Sequence, residues 1–358
     1  MVLIHSISAT CLPINFPNWK VGFIHFLKAS LIGKMRKSNE SVSECSEDHV
    51  PLINLDGMCN PMRRPILVEQ IANACLRFGF FQVINHGISQ QILDGALSVA
   101  SDFFNLPTRE KAKFLSPDIH RPVRYSTSFK DVCAGDQAQS WRAFLKHYAH
   151  PLQDWIGLWP QNPPLYREKI GEYVVEIQKL ALKIMGVITE SLGLGPTYLT
   201  PKLDQGMQVM TINCYPPCPQ PRLSLGIPQH SDYSCLTILH QDSPGLQILD
   251  SVDGSWRAVP VIHTALQVNV GDHLEVLSNG RYKSVVHRVT VRGEGTRISM
   301  ASLHSLGMDV KMEVARELVN EENQENYRRS SFRDFLNFAS KNELGEGTSF
   351  LDSLKINP

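Results

Sequence analysis

The sequence predicts a mostly β chain with α elements, in which a helical N-terminal half leans on a C-terminal antiparallel sandwich or barrel. Two observations carry this. Residues 165–193 place apolar side chains at helical spacing over a long run that Gly193 closes. From about residue 207 the texture becomes short β-rich runs broken by turns at "PPCPQP", "QDSPG", "DSVDGS", "SNG" and "RGEG", the rhythm of a sandwich or barrel.

Along the chain, residues 1–39 contain no Asp or Glu but carry Lys20, Lys28, Lys34, Arg36 and Lys37. They are expected to be an atypical extension (1–47), either disordered or an organelle-targeting segment. "NESVSECSEDHV" (39–50) reads as a polar linker. "VPLINL" (50–55) reads as a strand, 63–78 as a helix stopped by Gly79, and "FFQVINHG" (80–87) as a second strand. Helices are expected at 88–105 and 108–115. "LEVLSNGRYKSVVHRV" carries a hairpin signal, with Asn279-Gly280 supplying positive φ. The expected divisions are 48–205 (helical), 206–310 (β core) and 311–358 (a helical tail).

Composition narrows the function. The 358 residues are 42% hydrophobic, and 35 basic residues balance 35 acidic ones. Zero net charge leaves no footprint for nucleic acid or an anionic membrane. No apolar run reaches the roughly 18–20 residues of a membrane span. The eight cysteines (11, 45, 59, 75, 133, 214, 218 and 235) form no CxxC pair. They read as thiols of a reducing compartment rather than a structural zinc site. A cytoplasmic monomer acting on a small molecule is the expectation, with organellar targeting by residues 1–39 as the alternative.

The chemistry is carried by "PQHSDYSC" (228–235). On a strand, residues i and i+2 share a face, so His230 and Asp232 would project together. An H-x-D triplet alone is commonplace. "YKSVVHRV" offers a third ligand, His287, from another strand. Two imidazoles and one carboxylate form the facial triad of non-heme Fe(II) oxygenases, which leaves coordination positions open for a bidentate acid and O₂. Ten residues on, "TRISM" places Arg297 and Ser299 on one face, a fork and a hydroxyl suited to the far carboxylate of a dicarboxylic acid.

Together, "GFFQVINHG" (79–87), "NCYPPCPQP" (213–221), "PQHSDYSCLTIL" (228–239), "GDHLEVLSNGRYKSVVHR" (271–288) and "TRIS" (296–299) resemble the plant 2-oxoglutarate- and Fe(II)-dependent dioxygenases. The resemblance spans about residues 48–340. It implies a double-stranded β-helix (jelly-roll) core flanked by N-terminal helices. It further implies that His230, Asp232 and His287 bind Fe(2+), and that Arg297, Ser299 and Tyr215, with Asn213 nearby, hold 2-oxoglutarate. O₂ would be the second co-substrate and ascorbate the reductant. Cys214 stands where many relatives have Tyr, and Ser231 where Thr is common. No catalytic group beyond the metal centre is implied.

For the organic substrate, "RYSTSF" (124–129) and "WRAFLKHY" (141–148) are expected near the pocket, with Tyr125, Phe129 and Phe144 as aromatic candidates beside Thr211 and Leu303. These segments look closest to downy-mildew-resistance-type oxygenases. Flavonol- and anthocyanidin-forming relatives carry Lys, Phe and Glu where this chain has Thr211, Leu303 and Ser305. That argues against either activity and leaves hydroxylation or desaturation of another plant specialised metabolite or phenolic. A non-catalytic metabolite-binding homologue, and a jelly-roll isomerase or zinc hydrolase, are the rival readings.

Overall fold

The structure, a computed structural model, describes residues 50–129, 139–341 and 349–356. The expected extension at 1–47, with its targeting role, lies outside them. All described residues fall within one compact unit.

The strands are β1 (Leu52–Asn54), β2 (Phe80–Ile84), β3 (Val123–Phe129), β4 (Gln139–His150), β5 (Met207–Tyr215), β6 (Ser224–His230), β7 (Leu236–Gln241), β8 (Leu246–Leu249), β9 (Trp256–Ala258), β10 (Leu266–Val270), β11 (His287–Thr290) and β12 (Arg297–Ser305). They form two layers. The larger runs β1-β2-β10-β7-β12-β5-β4, with β3 added on β4, and the smaller runs β6-β11-β8-β9. The start of β4 joins the layers, where Gln139 and Ser140 pair in parallel with Ser224 and Leu225. All other pairings are antiparallel except β1 with β2. This two-layered sheet with flanking helices is the mostly β architecture that the sequence predicts.

The helices are α1 (Arg64–Arg77), α2 (Gln90–Asn105), α3 (Thr108–Lys111), α4 (Leu152–Trp155), α5 (Tyr166–Ser191), α6 (Thr200–Asp204), α7 (Asp272–Leu277), α8 (Phe332–Ala339) and α9 (Phe350–Leu354). α5 buries Ile170, Val174, Ile177, Ala181, Ile184 and Ile188, a 3–4-residue period that turns one face to the core. It packs against α1, α2 and the larger layer. α1 ends as expected: Gly79 takes φ +61°, and a Cβ there would stand 2.1 Å from the Lys283 carbonyl oxygen. No other residue fits that position.

Three expectations need correction. The 48–205 region, expected to be helical apart from the strands at 50–55 and 80–87 that form β1 and β2, also supplies β3 and β4, which widen the larger layer. In the 311–358 tail the described residues before α8 are mostly irregular chain, tied by the bridges Met312 to Ser330 and Tyr327 to Lys355. The hairpin expected around Asn279-Gly280 is instead a helix end. Its first arm is α7, whose six residues are all buried. The amide of Asn279 bonds to Val276 O and that of Gly280 to Glu275 O, the paired bonds of a Schellman cap. Positive φ was read correctly (Asn279 +52°, Gly280 +81°), but both hairpin turns and helix caps demand it.

Candidate functional site

β6 and β11 run antiparallel with His230 directly opposite His287. The imidazoles therefore lie side by side, tilted 51° to one another with centroids 4.2 Å apart. Asp232 lies just past the end of β6, in the turn leading to β7. The shared strand face predicted for His230 and Asp232 is thus replaced by a strand end and a turn. The result is the same convergence. Each histidine Nε2 lies 3.8 Å from Asp232 Oδ1, and one ligand atom from each of the three residues lies within 4.8 Å of the others.

The second ring nitrogens explain the orientation. His230 Nδ1 is 2.8 Å from Pro228 O and His287 Nδ1 is 3.1 Å from Val285 O. A carbonyl only accepts, so each Nδ1 carries the proton and each Nε2 presents its lone pair to an ion. Burial first, then the neighbouring His287, lower the His230 pKa to about 4. That ring is therefore neutral, and ready to ligate, at pH 7. Asn269 Nδ2 approaches the other Asp232 oxygen at 3.4 Å, a partner that the sequence gave no reason to single out.

Across the gap, the larger layer offers the second half of the site. β12 pairs with β5 so that Arg297 faces Tyr215 and Ser299 faces Asn213. The Arg297 strand therefore belongs to the layer opposite the His287 strand. The buried guanidinium is fixed three ways: Nε donates to Ser243 O at 2.9 Å, Nη1 to Ser299 Oγ at 3.2 Å and Nη2 to Gln241 Oε1 at 2.7 Å. A guanidinium has five N–H donors, so two remain. Beside it the Tyr215 hydroxyl and Gln241 Nε2 are buried without a hydrogen-bond partner. Orphaned donors around a fixed fork suit a bound carboxylate. Gln241 was missed in the sequence because only the register shows it level with Ser299.

The larger layer's two faces differ in access. Along β3, Val123 and Tyr125 are buried while Arg124 and Ser126 are half-buried. On β4, β5 and β12, the half-buried residues Phe144, Lys146, Thr211, Ala301 and Leu303 share the Arg297 face, and their alternates pack under the helices. Of the residues expected at the pocket, Phe144, Thr211 and Leu303 thus lie on the same face as Arg297. Tyr125 does not: it points the other way, against Phe103 and Phe104 of α2, with centroids 6.1 and 6.5 Å away, and is core. Phe129 is 42% exposed at the end of β3 and contacts Trp141 edge-on at 5.3 Å. Arg142 was also missed; its Nη1 donates to Asn213 Oδ1 at 2.8 Å.

Residues 206–305 match the family model described as the 2OG-Fe(II) oxygenase superfamily, and residues 50–162 match that of the N-terminal region of a non-haem dioxygenase in morphine synthesis. Flavanone 3-dioxygenase 3 of Oryza sativa subsp. japonica is 47% identical over 309 residues, which are 86% of this chain and 93% of that protein. Protein DOWNY MILDEW RESISTANCE 6 of Arabidopsis thaliana is 43% identical over 264 residues, 73% of this chain and 75% of that one. The crystal structure of JOX2 in complex with 2OG, Fe and JA superposes with a TM-score of 0.74 at 31% identity, covering 85% of this chain and 88% of that chain.

Proposed function

This chain belongs to the 2OG-Fe(II) oxygenase superfamily and is a 2-oxoglutarate-dependent dioxygenase similar to the downy-mildew-resistance-type plant enzymes, and from that premise we propose that it hydroxylates, or desaturates, a small specialised metabolite. One observation supports this most: the ligand atoms of His230, Asp232 and His287 converge within 4.8 Å, opposite a fixed Arg297 fork with a buried, unpaired Tyr215 hydroxyl beside it. The donor set of two imidazoles and one carboxylate fits Fe(II) with positions to spare.

In this reading the three residues hold the iron, and Arg297, Ser299 and Tyr215 hold the far carboxylate of 2-oxoglutarate. Asn213, engaged by Arg142, braces that wall. Bound there, iron supplies the oxidising chemistry, coupling conversion of 2-oxoglutarate to succinate and CO₂ to oxidation of the substrate. The chain's contribution is orientation. The Nδ1 bonds fix the imidazoles, the three anchors fix the guanidinium, and the flanking layers restrict water. No side chain needs to act as a base. The names of relatives, flavanone 3-dioxygenase among them, support a plant metabolite of that size.

Succinate release from 2-oxoglutarate, under air with Fe(II) and ascorbate, tests this across pooled plant metabolites. A pool that stimulates release and gains one oxygen atom in a component supports hydroxylation. Iron-loaded protein that releases no succinate with any pool would overturn the proposal.

A further inference from the structure

β10 supplies more to the candidate iron site than a core strand needs to. All five of its residues are buried; Leu266, Val268 and Val270 are apolar, but Gln267 and Asn269 are not. Register carries Asn269 onto Thr237 of β7, and Thr237 onto Leu303 of β12. Paired residues share a face, and so do residues two apart, so Asn269 lies on the inner face that carries Arg297. A buried amide costs more than an apolar side chain unless it is partnered. The partner of Asn269 is Asp232, whose Oδ2 accepts from Nδ2 at 3.4 Å.

The residues after β10 hold the same turn by its backbone. The Asp272 amide, at the start of α7, donates to Asp232 O at 2.7 Å, and the Gly271 amide donates to Cys235 O at 3.2 Å. A Cβ at Gly271 would stand 2.1 Å from Ser234 O and 2.9 Å from Asp232 O, so only glycine permits this approach. Residues 269–272 therefore grip the Asp232 turn at two levels, main chain and carboxylate. The carboxylate contact also sorts the two oxygens. Oδ1 lies 3.8 Å from Nε2 of both His230 and His287, whereas Oδ2 meets Asn269. The terminal torsion of an aspartate is broad, so a donor fixed on one oxygen decides which oxygen is presented.

We propose that Asn269 is a positioning residue of the metal site. By holding Oδ2 it presents Oδ1 alone toward the two imidazoles, so that the carboxylate fills one coordination position and not two. This rests on the oxygenase reading above and deepens it. An ion that must also take a bidentate acid and O₂ has room for both only if each protein ligand takes a single position.

The test is an anaerobic Co(II) titration of the full chain, followed by visible absorption, on wild type, Asn269→Leu and Gln267→Leu. Gln267 is the matched control: a buried amide two residues away on the same face, paired with Leu239 of β7. Asn269→Leu should weaken Co(II) binding about 10- to 100-fold, the usual cost of losing the partner of a metal ligand, and should shift the visible band. Gln267→Leu should leave both as in the wild type. Asn269→Ala removes the same donor and gives the same reading if the leucine variant is insoluble. Unchanged Co(II) binding in a folded Asn269 variant, or equal weakening in Gln267→Leu, would overturn the assignment. Succinate release by the wild type separates the two readings. Release from a wild type whose Co(II) binding ignores the Asn269 substitutions would sink the positioning role alone. Asn269-dependent Co(II) binding without succinate release in any metabolite pool would sink the oxygenase reading alone.

Discussion

Gly226 lies on β6 with its Cα facing the ring of Tyr215 across the two layers. A Cβ at that position would stand 2.6 Å from Cδ1 and Cε1 of Tyr215 and 3.0 Å from Cγ1 of Val289. Its φ is not in the left-handed region, so alanine meets no backbone objection and the cost of Gly226→Ala is purely steric. Carbon atoms pack comfortably at about 3.5–4.0 Å, so the Tyr215 ring must retreat by about 1 Å. Overpacking of this kind destabilises by about 1–3 kcal/mol. The sharper effect is on the hydroxyl. A hydrogen bond lengthened by about 1 Å is lost, and one to a carboxylate contributes about 1.5–3 kcal/mol. The 2-oxoglutarate KM, read from succinate release, should therefore rise about 10- to 100-fold. The iron affinity should hold, because His230, Asp232 and His287 do not touch that ring. Tyr215→Phe alone should raise the KM similarly, and the double variant should add little, since the bond can be lost only once. A Gly226→Ala protein with lowered Tm but unchanged KM would refute the role given to Tyr215.

Arg297→Lys removes the fork and its anchors to Ser243, Gln241 and Ser299; the 2-oxoglutarate KM should rise at least about tenfold, and an effect confined to the organic substrate would contradict the clamp. Asp232→Ala leaves two imidazoles without the carboxylate, so a Co(II) titration followed by visible absorption should show tight binding lost; retained binding would dissolve the triad. The third concerns the fold. Asp250, its side chain fully buried, accepts from Arg77 at 2.6 and 2.7 Å and from Arg257 at 2.6 Å, which holds its carboxyl well below the ordinary value of 3.8. A depressed carboxylate pKa adds stability that is present above the unfolded value and lost as pH falls through the folded one. Asp250→Asn should cost about 2–4 kcal/mol near neutrality and flatten the acid limb below about pH 4. Denaturation at pH 7 and at pH 3 checks both, and an equal loss at the two values would contradict the ionic origin.

What the sequence revealed and what it hid follow from the range of each interaction. The ligands His230, Asp232 and His287 were legible because few residue types bind iron and two of them sit two apart. Their convergence does not even need the strand geometry that first suggested it, since Asp232 lies in a turn. The α5 helix was legible because its apolar period is local. The Asn279-Gly280 signal was local too, yet ambiguous: it reports positive φ, and only the burial of all of α7 decides between a hairpin arm and a helix. Tyr125 and Phe144 show the harder case. Both are aromatic residues in strands at the same pocket-forming edge, and nothing local distinguishes them. The distinction is parity across β3 and β4, where Tyr125 pairs with the buried Leu145 while Phe144 pairs with Asn213 of the site. The same parity puts Arg124, Arg142 and Lys146 on one surface, although in the sequence they read as scattered surface charge. A charge is inexpensive in water and costly under a sheet, so register, which a single sequence barely specifies, is what gathers three ordinary basic residues beside the site.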